Sequence, residues 1–152
     1  MDLLKINTST KILKIISIIV IGSLALTISA KIKIPFYPVP MTMQTFVVLF
    51  LGLAFGYKIG VATVLLYLVE GISGLPVFSN SPEKGVGIIY FTGPTMGYLI
   101  GFLLAAFLAG FQNLKVNIFY TFIKLILSVS VIYILGYLWL GTLIGWDKPV
   151  FE

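Results

Sequence analysis

Long apolar runs with helical length constrain this chain more than anything else in it. ILKIISIIVIGSLALTISA (12–30), GPTMGYLIGFLLAAFLAGF (93–111) and the stretch from Asn117 to Gly145 each approach or exceed a membrane's thickness, since crossing the hydrocarbon takes about 20 residues at 1.5 Å rise. They lack the strict alternation of a membrane β-barrel strand. With 59% hydrophobic and only 10% charged residues and a mean hydropathy of +1.11, the composition is far from that of a water-exposed surface. The reading is an all-α integral membrane protein, one helical bundle with transmembrane helices at 13–30, 41–56, 59–72, 94–111 and 117–140.

The second and third spans are short and meet at Tyr57-Lys58, so a re-entrant hairpin competes with two full spans. A lysine at a tight turn can snorkel to the interface, whereas one at mid-membrane is costly, and this favours two spans. The basic start MDLLKINTSTKILK followed by an apolar run is also the pattern of a secretory signal. The run is longer than a typical signal core and leads into further membrane segments, so it is read as the first span.

Several chemistries fall away at once. The chain has no cysteine and no histidine, which removes disulfides, thiolate or imidazole metal ligands and His general bases. Five carboxylates are spread along it, none spaced as a pair on one helix, so neither an enzyme nor a metal site is expected. No GxxxxGK[ST] phosphate loop is present, which excludes the standard ATPase route. The charge of +5 is spread thinly through the loops. That argues against nucleic acid and for a role of the lysines in orientation.

A cytoplasmic N-terminus puts Lys5, Lys11, Lys14, Lys58 and Lys115 inside, with Lys124 near the inner end of the fifth span, and leaves Lys31, Lys33, Lys84 and Lys148 outside. The two longest connections, 31–40 and 73–93, then share the outer face. In the first, Pro35, Pro38 and Pro40 crowd into six residues. Each fixes its own φ and restricts the residue before it, so this segment reads as a stiff cap that loses little entropy on closing over a ligand. The plainer alternative is that the prolines only stop one helix and start the next.

Small residues mark packing faces. Gly93, Gly97, Gly101, Ala105 and Ala109 recur every fourth residue, and Gly52, Gly56 and Gly60 repeat the spacing across a turn; such faces let helix backbones approach in lipid. Gly22, Ser23, Ala25 and Ser29 form a smaller set on the first span, free to pack internally or against another subunit. Glu70 is the one acid inside a span, near its outer end, and either lines a site or sits at the interface. Around it the outer face gathers Thr42, Gln44, Thr45, Tyr67, Ser79, Asn80, Ser81, Lys84, Thr95 and Tyr98, a mixture suited to a small-ligand pocket. A lysine there suits a carboxylate, with a solvated loop charge as the alternative for Lys84.

Three blocks, IKIPFYPVPMTMQTF, LLYLVEGISGLPVF (65–78) and FTGPTMGYLIGF (91–102), resemble in order and spacing the hallmark segments of the BioY family, the substrate-binding S components of energy-coupling factor (ECF) biotin transporters. The resemblance implies a six-helix bundle in the bacterial inner membrane that holds biotin near its outer face under the loop after the first helix. It implies an ECF transmembrane coupling protein and ATPase subunits as partners, with Gly22, Ala25 and Ser29 docking against the coupling protein. By matched position, Thr42 and Gln44 belong to the cap and pocket edge, Asn80 and Lys84 act on polar groups of the ligand, and Tyr98 forms wall; Tyr67 and Glu70 complete the expected set. Two departures stand out: SNSPEKGVG is less glycine-rich than the family's versions, and the chain stops at Glu152, where the family continues into a sixth helix. A C-terminally truncated single domain is therefore expected. The competing function is a self-contained carrier or channel for organic anions, which calls for polar residues along a whole pore.

Overall fold

The computed structural model describes residues 7–111 and 117–147. Asp2, Lys5, Lys115, Lys148 and Glu152 of the charge reading lie outside the described residues. Helix α1 (Thr8–Lys31) leads into a two-stranded antiparallel sheet, β1 (Lys33–Ile34) and β2 (Met41–Thr42). Helix α2 (Gln44–Ile72) follows, then a long loop containing a 3-10 helix (Gly87–Thr92), then α3 (Met96–Gly110) and α4 (Ile118–Ile144). Three of these elements, α1, α4 and α2 taken end to end, are long and apolar enough to cross a membrane. The protein is an all-α, multi-pass membrane bundle.

The length of α2 conceals a reversal. Gly56 has φ 83° and ψ 166°, a region essentially closed to residues with a side chain. The helix folds back there. Gly52 and Gly60 then face each other, so that a Cβ on Gly60 would lie 2.9 Å from Gly52 Cα. The second and third expected spans are thus the two arms of one hairpin, with Lys58 at its turn. Residues 41–43, expected in the second span, instead form β2 and the turn into α2. Among the described residues nothing lies within 4 Å of where a Cβ on Gly56 would be, so the penalty at this position comes from the backbone. Gly56→Ala is expected to lower stability by about 1–3 kcal/mol, measurable as a drop in the melting midpoint in detergent; an unchanged midpoint would contradict the hairpin turn.

Helix α3 is the centre of the bundle, packed on α2 along one side and on α4 along the other, while α1 packs on α2. The stripe of small residues makes this possible. Cβ atoms on Gly97 and Gly101 would approach Leu135 O at 2.5 Å and Ile132 Cα at 2.7 Å on α4, and one on Gly52 would meet Ala106 O at 2.6 Å. Ala105 and Ala109 are wholly buried. Gly110 lies directly on the backbone of Tyr57, which docks the end of α3 onto the hairpin turn.

The small residues of α1 are also used internally. A Cβ on Gly22 would be 2.6 Å from Thr63 Cγ2, Ser29 is buried, and only Ala25 keeps partial exposure. Within this chain Gly22 is packed on α2 and Ser29 bonds Leu26 O on its own helix at 2.9 Å, while the exposed side of α1 carries Leu13, Ile21, Leu24 and Ile28.

Candidate functional site

The loop connections 32–43 and 73–95 meet at one end of the bundle. In the first, the pairing of Lys33 with Thr42 and of Ile34 with Met41 makes a flap whose tip holds the three prolines. The prolines stay out of the ladder because they lack the N–H it needs. A further bond from Met43 N to Ile32 O at 3.1 Å closes the base of the flap.

The second loop is anchored by Phe78, which is 1% exposed. A Cβ on Gly71 would collide with the edge of its ring at Cζ, so the absent side chain at 71 is what lets Phe78 lie on α2. Tyr90 stacks on Phe78 with centroids 4.6 Å apart, and Tyr67 and Phe91 meet it edge-on, each at 5.4 Å. At the far end of the loop, Trp139 Nε1 on α4 donates to Gly93 O at 2.9 Å.

A hydrogen-bonded chain joins these parts. Thr42 Oγ1 donates to Gln44 Oε1 at 3.3 Å, Gln44 Nε2 donates to Tyr67 Oη at 2.6 Å, and Tyr67 Oη donates to Val77 O at 3.0 Å. Flap, both arms of α2 and the second loop are thereby held in one register. Gln44 is 3% exposed and Tyr67 wholly buried, so these bonds satisfy polar groups that would otherwise be costly to bury.

Between flap, second loop, α3 and α4 lies a cavity of about 340 Å³, within the range of small-molecule sites. Its polar lining comes from Thr42, Gln44, Thr45, Ser79, Thr95 and the phenols of Tyr90 and Tyr98; Phe46, Phe78, Leu99, Phe102 and Ile132 supply apolar wall. Ser79 Oγ and Tyr90 Oη lie 3.4 Å apart. Among the described residues, none that lines it carries a formal charge. This cavity suits a compact, neutral ring system with hydrogen-bonding edges, and among the described residues its lining has neither nucleophile–base pair nor carboxylates for a metal.

Of the residues expected from sequence, the structure brings Thr42, Gln44 and Tyr98 to the cavity and sets Tyr67 directly behind Gln44. Asn80 and Lys84 lie on the second loop and do not line it; Asn80 Oδ1 accepts from Lys33 Nζ at 3.0 Å, and Lys84 is exposed. Glu70 faces α1, where its carboxylate accepts from Ser23 Oγ. The contributions of Phe78, Tyr90, Ile132 and Tyr133 were absent from the sequence reading. Aromatic density in 78–91 was the available signal for the first two; nothing local marked the α4 pair.

The family described as BioY matches residues 4–151. This chain belongs to the BioY family. It is 34% identical over 135 residues to the probable biotin transporter BioY of Pyrococcus horikoshii, covering 89% of this chain and 79% of that protein. With the probable biotin transporter BioY of Rickettsia prowazekii it shares 31% over 151 residues, 97% of this chain and 75% of the other. With the biotin transporter BioY of Thermotoga maritima the figures are 39% over 112 residues, 73% and 64%. Its fold is similar to the crystal structure of the S-component for biotin from an ECF-type ABC transporter, with TM-score 0.75, 27% identity, and coverage of 90% of this chain and 76% of that one.

Proposed function

We propose that this BioY chain captures biotin at the outer face of the bacterial inner membrane, as the substrate-specific subunit of an ECF-type ABC importer. The uncharged cavity beneath the two loops carries the proposal. Biotin's ureido group presents two N–H donors and a carbonyl, which the amide of Gln44 and the hydroxyls of Thr42, Ser79, Tyr90 and Thr95 are equipped to meet. The aromatic walls suit its thioether ring. Its carboxylate is the part least suited to an uncharged lining, so the tail points out of the cavity toward the second loop, which carries Asn80 and the exposed Lys84.

The packing supports capture without autonomous transport. Polar lining is confined to one end, while Ala105, Ala106 and Ala109 are wholly buried between the helices toward the other. Movement across the membrane is then the work of partners, a transmembrane coupling protein driven by ATPase subunits. With the cavity outside, the N-terminus is cytoplasmic, and Lys58 at the hairpin turn faces the inner interface.

The test is equilibrium binding of labelled biotin to the purified chain in detergent. Saturable binding is expected, with Gln44→Leu weakening it about tenfold or more through loss of a buried polar partner. Lys84→Ala, at an exposed position, should change the binding energy by no more than about 1 kcal/mol. Absence of saturable binding would overturn the proposal, and biotin transport by the chain alone in liposomes would favour the carrier instead.

A further inference from the structure

Two lysines that the charge pattern marks only as outer-face residues have specific partners. Lys31 Nζ donates to Phe78 O and to Ser81 O, both at 2.7 Å. Lys33 Nζ donates to Ser79 O at 2.9 Å and to Asn80 Oδ1 at 3.0 Å. Four charge-assisted bonds from two side chains converge on residues 78–81. An ammonium offers three donors and no acceptor, so clustered loop oxygens are its natural partners.

The two lysines hold different bodies. Lys31 closes the last turn of α1, a rigid element whose C-terminal end also favours a cation, and it fixes the second loop to that helix. Lys33 lies on β1 directly opposite Thr42, so it fixes the same loop to the flap. The flap lines the cavity through Val39, Pro40, Met41 and Thr42, and the second loop through Phe78, Ser79, Tyr90 and Thr95. A flap that lifts must break the Lys33 bonds, and a loop that swings out must break those of Lys31.

We propose that Lys31 and Lys33 are positioning residues that latch the two halves of the cavity roof together and thereby set the rate at which bound ligand escapes. The ligand assignment rests on the capture reading above; the latch itself does not. Neither lysine lines the cavity, so the effect of replacing them falls on release and leaves the contacts with the ligand in place.

The experiment uses the full chain purified in detergent. Labelled biotin is bound and chased with unlabelled biotin, for the wild type, for Lys31→Met with Lys33→Met, and for Lys31→Arg with Lys33→Arg. The methionine pair keeps the aliphatic stems and removes all four bonds. Dissociation should quicken roughly tenfold or more with association nearly unchanged, and the arginine pair, which can still bridge two oxygens, should restore slow release. Lys33→Met alone, which leaves α1 and its anchor intact, should show the same effect in smaller measure. A second readout needs no ligand. Because the chain has no cysteine of its own, paired spin labels at Phe36→Cys and Glu83→Cys report the flap-to-loop distance directly. A narrow distribution is expected in the wild type and a broad one in the methionine pair. Wild-type release rates in the methionine pair, or a distribution as narrow as the wild type's, would overturn the latch. If the wild type binds no biotin, the capture reading fails, and the distance measurement still decides the latch.

Discussion

Phe78→Ala should destabilise the protein by about 3–5 kcal/mol, the range for removing a fully buried phenylalanine, and abolish biotin binding in the same variant. Phe78 is 1% exposed and lies among Tyr67, Tyr90 and Phe91, with Gly71 beneath its ring. None of these neighbours can relax cheaply into the gap. Tyr67 is held by Gln44 and by Val77 O, and the carbonyl of Phe78 itself is held by Lys31. The void therefore persists, and its lining loses dispersion contacts without replacement. Binding fails because Phe78 is at once core and cavity wall. Ile88→Ala, at a position 71% exposed, should stay within about 0.5 kcal/mol. Thermal unfolding in detergent separates the two variants. Equal midpoints for Phe78→Ala and wild type would contradict the proposed anchoring of the loop.

The second large effect comes from adding atoms. A Cβ on Gly136 would fall against the ring of Tyr98, and the two helices cannot separate to make room. Beside Tyr98, Gly97 is pressed on Leu135, Gly136 and Trp139, and α3 is also packed on α2. The open direction for the Tyr98 ring is into the cavity that it lines. Gly136→Val should therefore reduce biotin affinity by roughly 5- to 150-fold, the equivalent of the 1–3 kcal/mol typical of overpacking, in a protein that still elutes as a folded species. Pairing it with Tyr98→Ala should produce a loss smaller than the sum of the single effects, because the two positions share one contact. Strict additivity would mean that Tyr98 is not the residue displaced.

Much of the architecture is written in local periodicity. The apolar runs, the small residue at every fourth position from Gly93 to Ala109, and the prolines of the flap each act within a few residues of themselves, so the sequence exposes them. Gly56 was visible as part of a repeat, yet its role as the reversal point depends on a backbone angle that no pattern of side chains encodes. The site was partly legible: Thr42, Gln44 and Tyr98 stand at helix or strand ends at one end of the bundle, where polar residues in a membrane protein are conspicuous. Glu70 was conspicuous for the same reason, but its partner Ser23 lies 47 positions earlier and directs it toward α1. The rest of the site arises from contacts between distant segments. Lys31 and Lys33 look like interfacial charges until the second loop comes within reach, and Ile132 and Tyr133 look like lipid-facing residues until α4 packs on α3.

Protection of single introduced cysteines tests the central claim most directly. Thr45→Cys and Thr95→Cys place a thiol in the cavity lining, and Ser73→Cys places one on the exposed end of α2, in a chain otherwise free of cysteine. With a small thiol reagent, biotin should slow labelling at 45 and 95 and leave 73 unaffected. Undiminished labelling at both cavity positions in protein saturated with biotin would mean that the vitamin binds elsewhere.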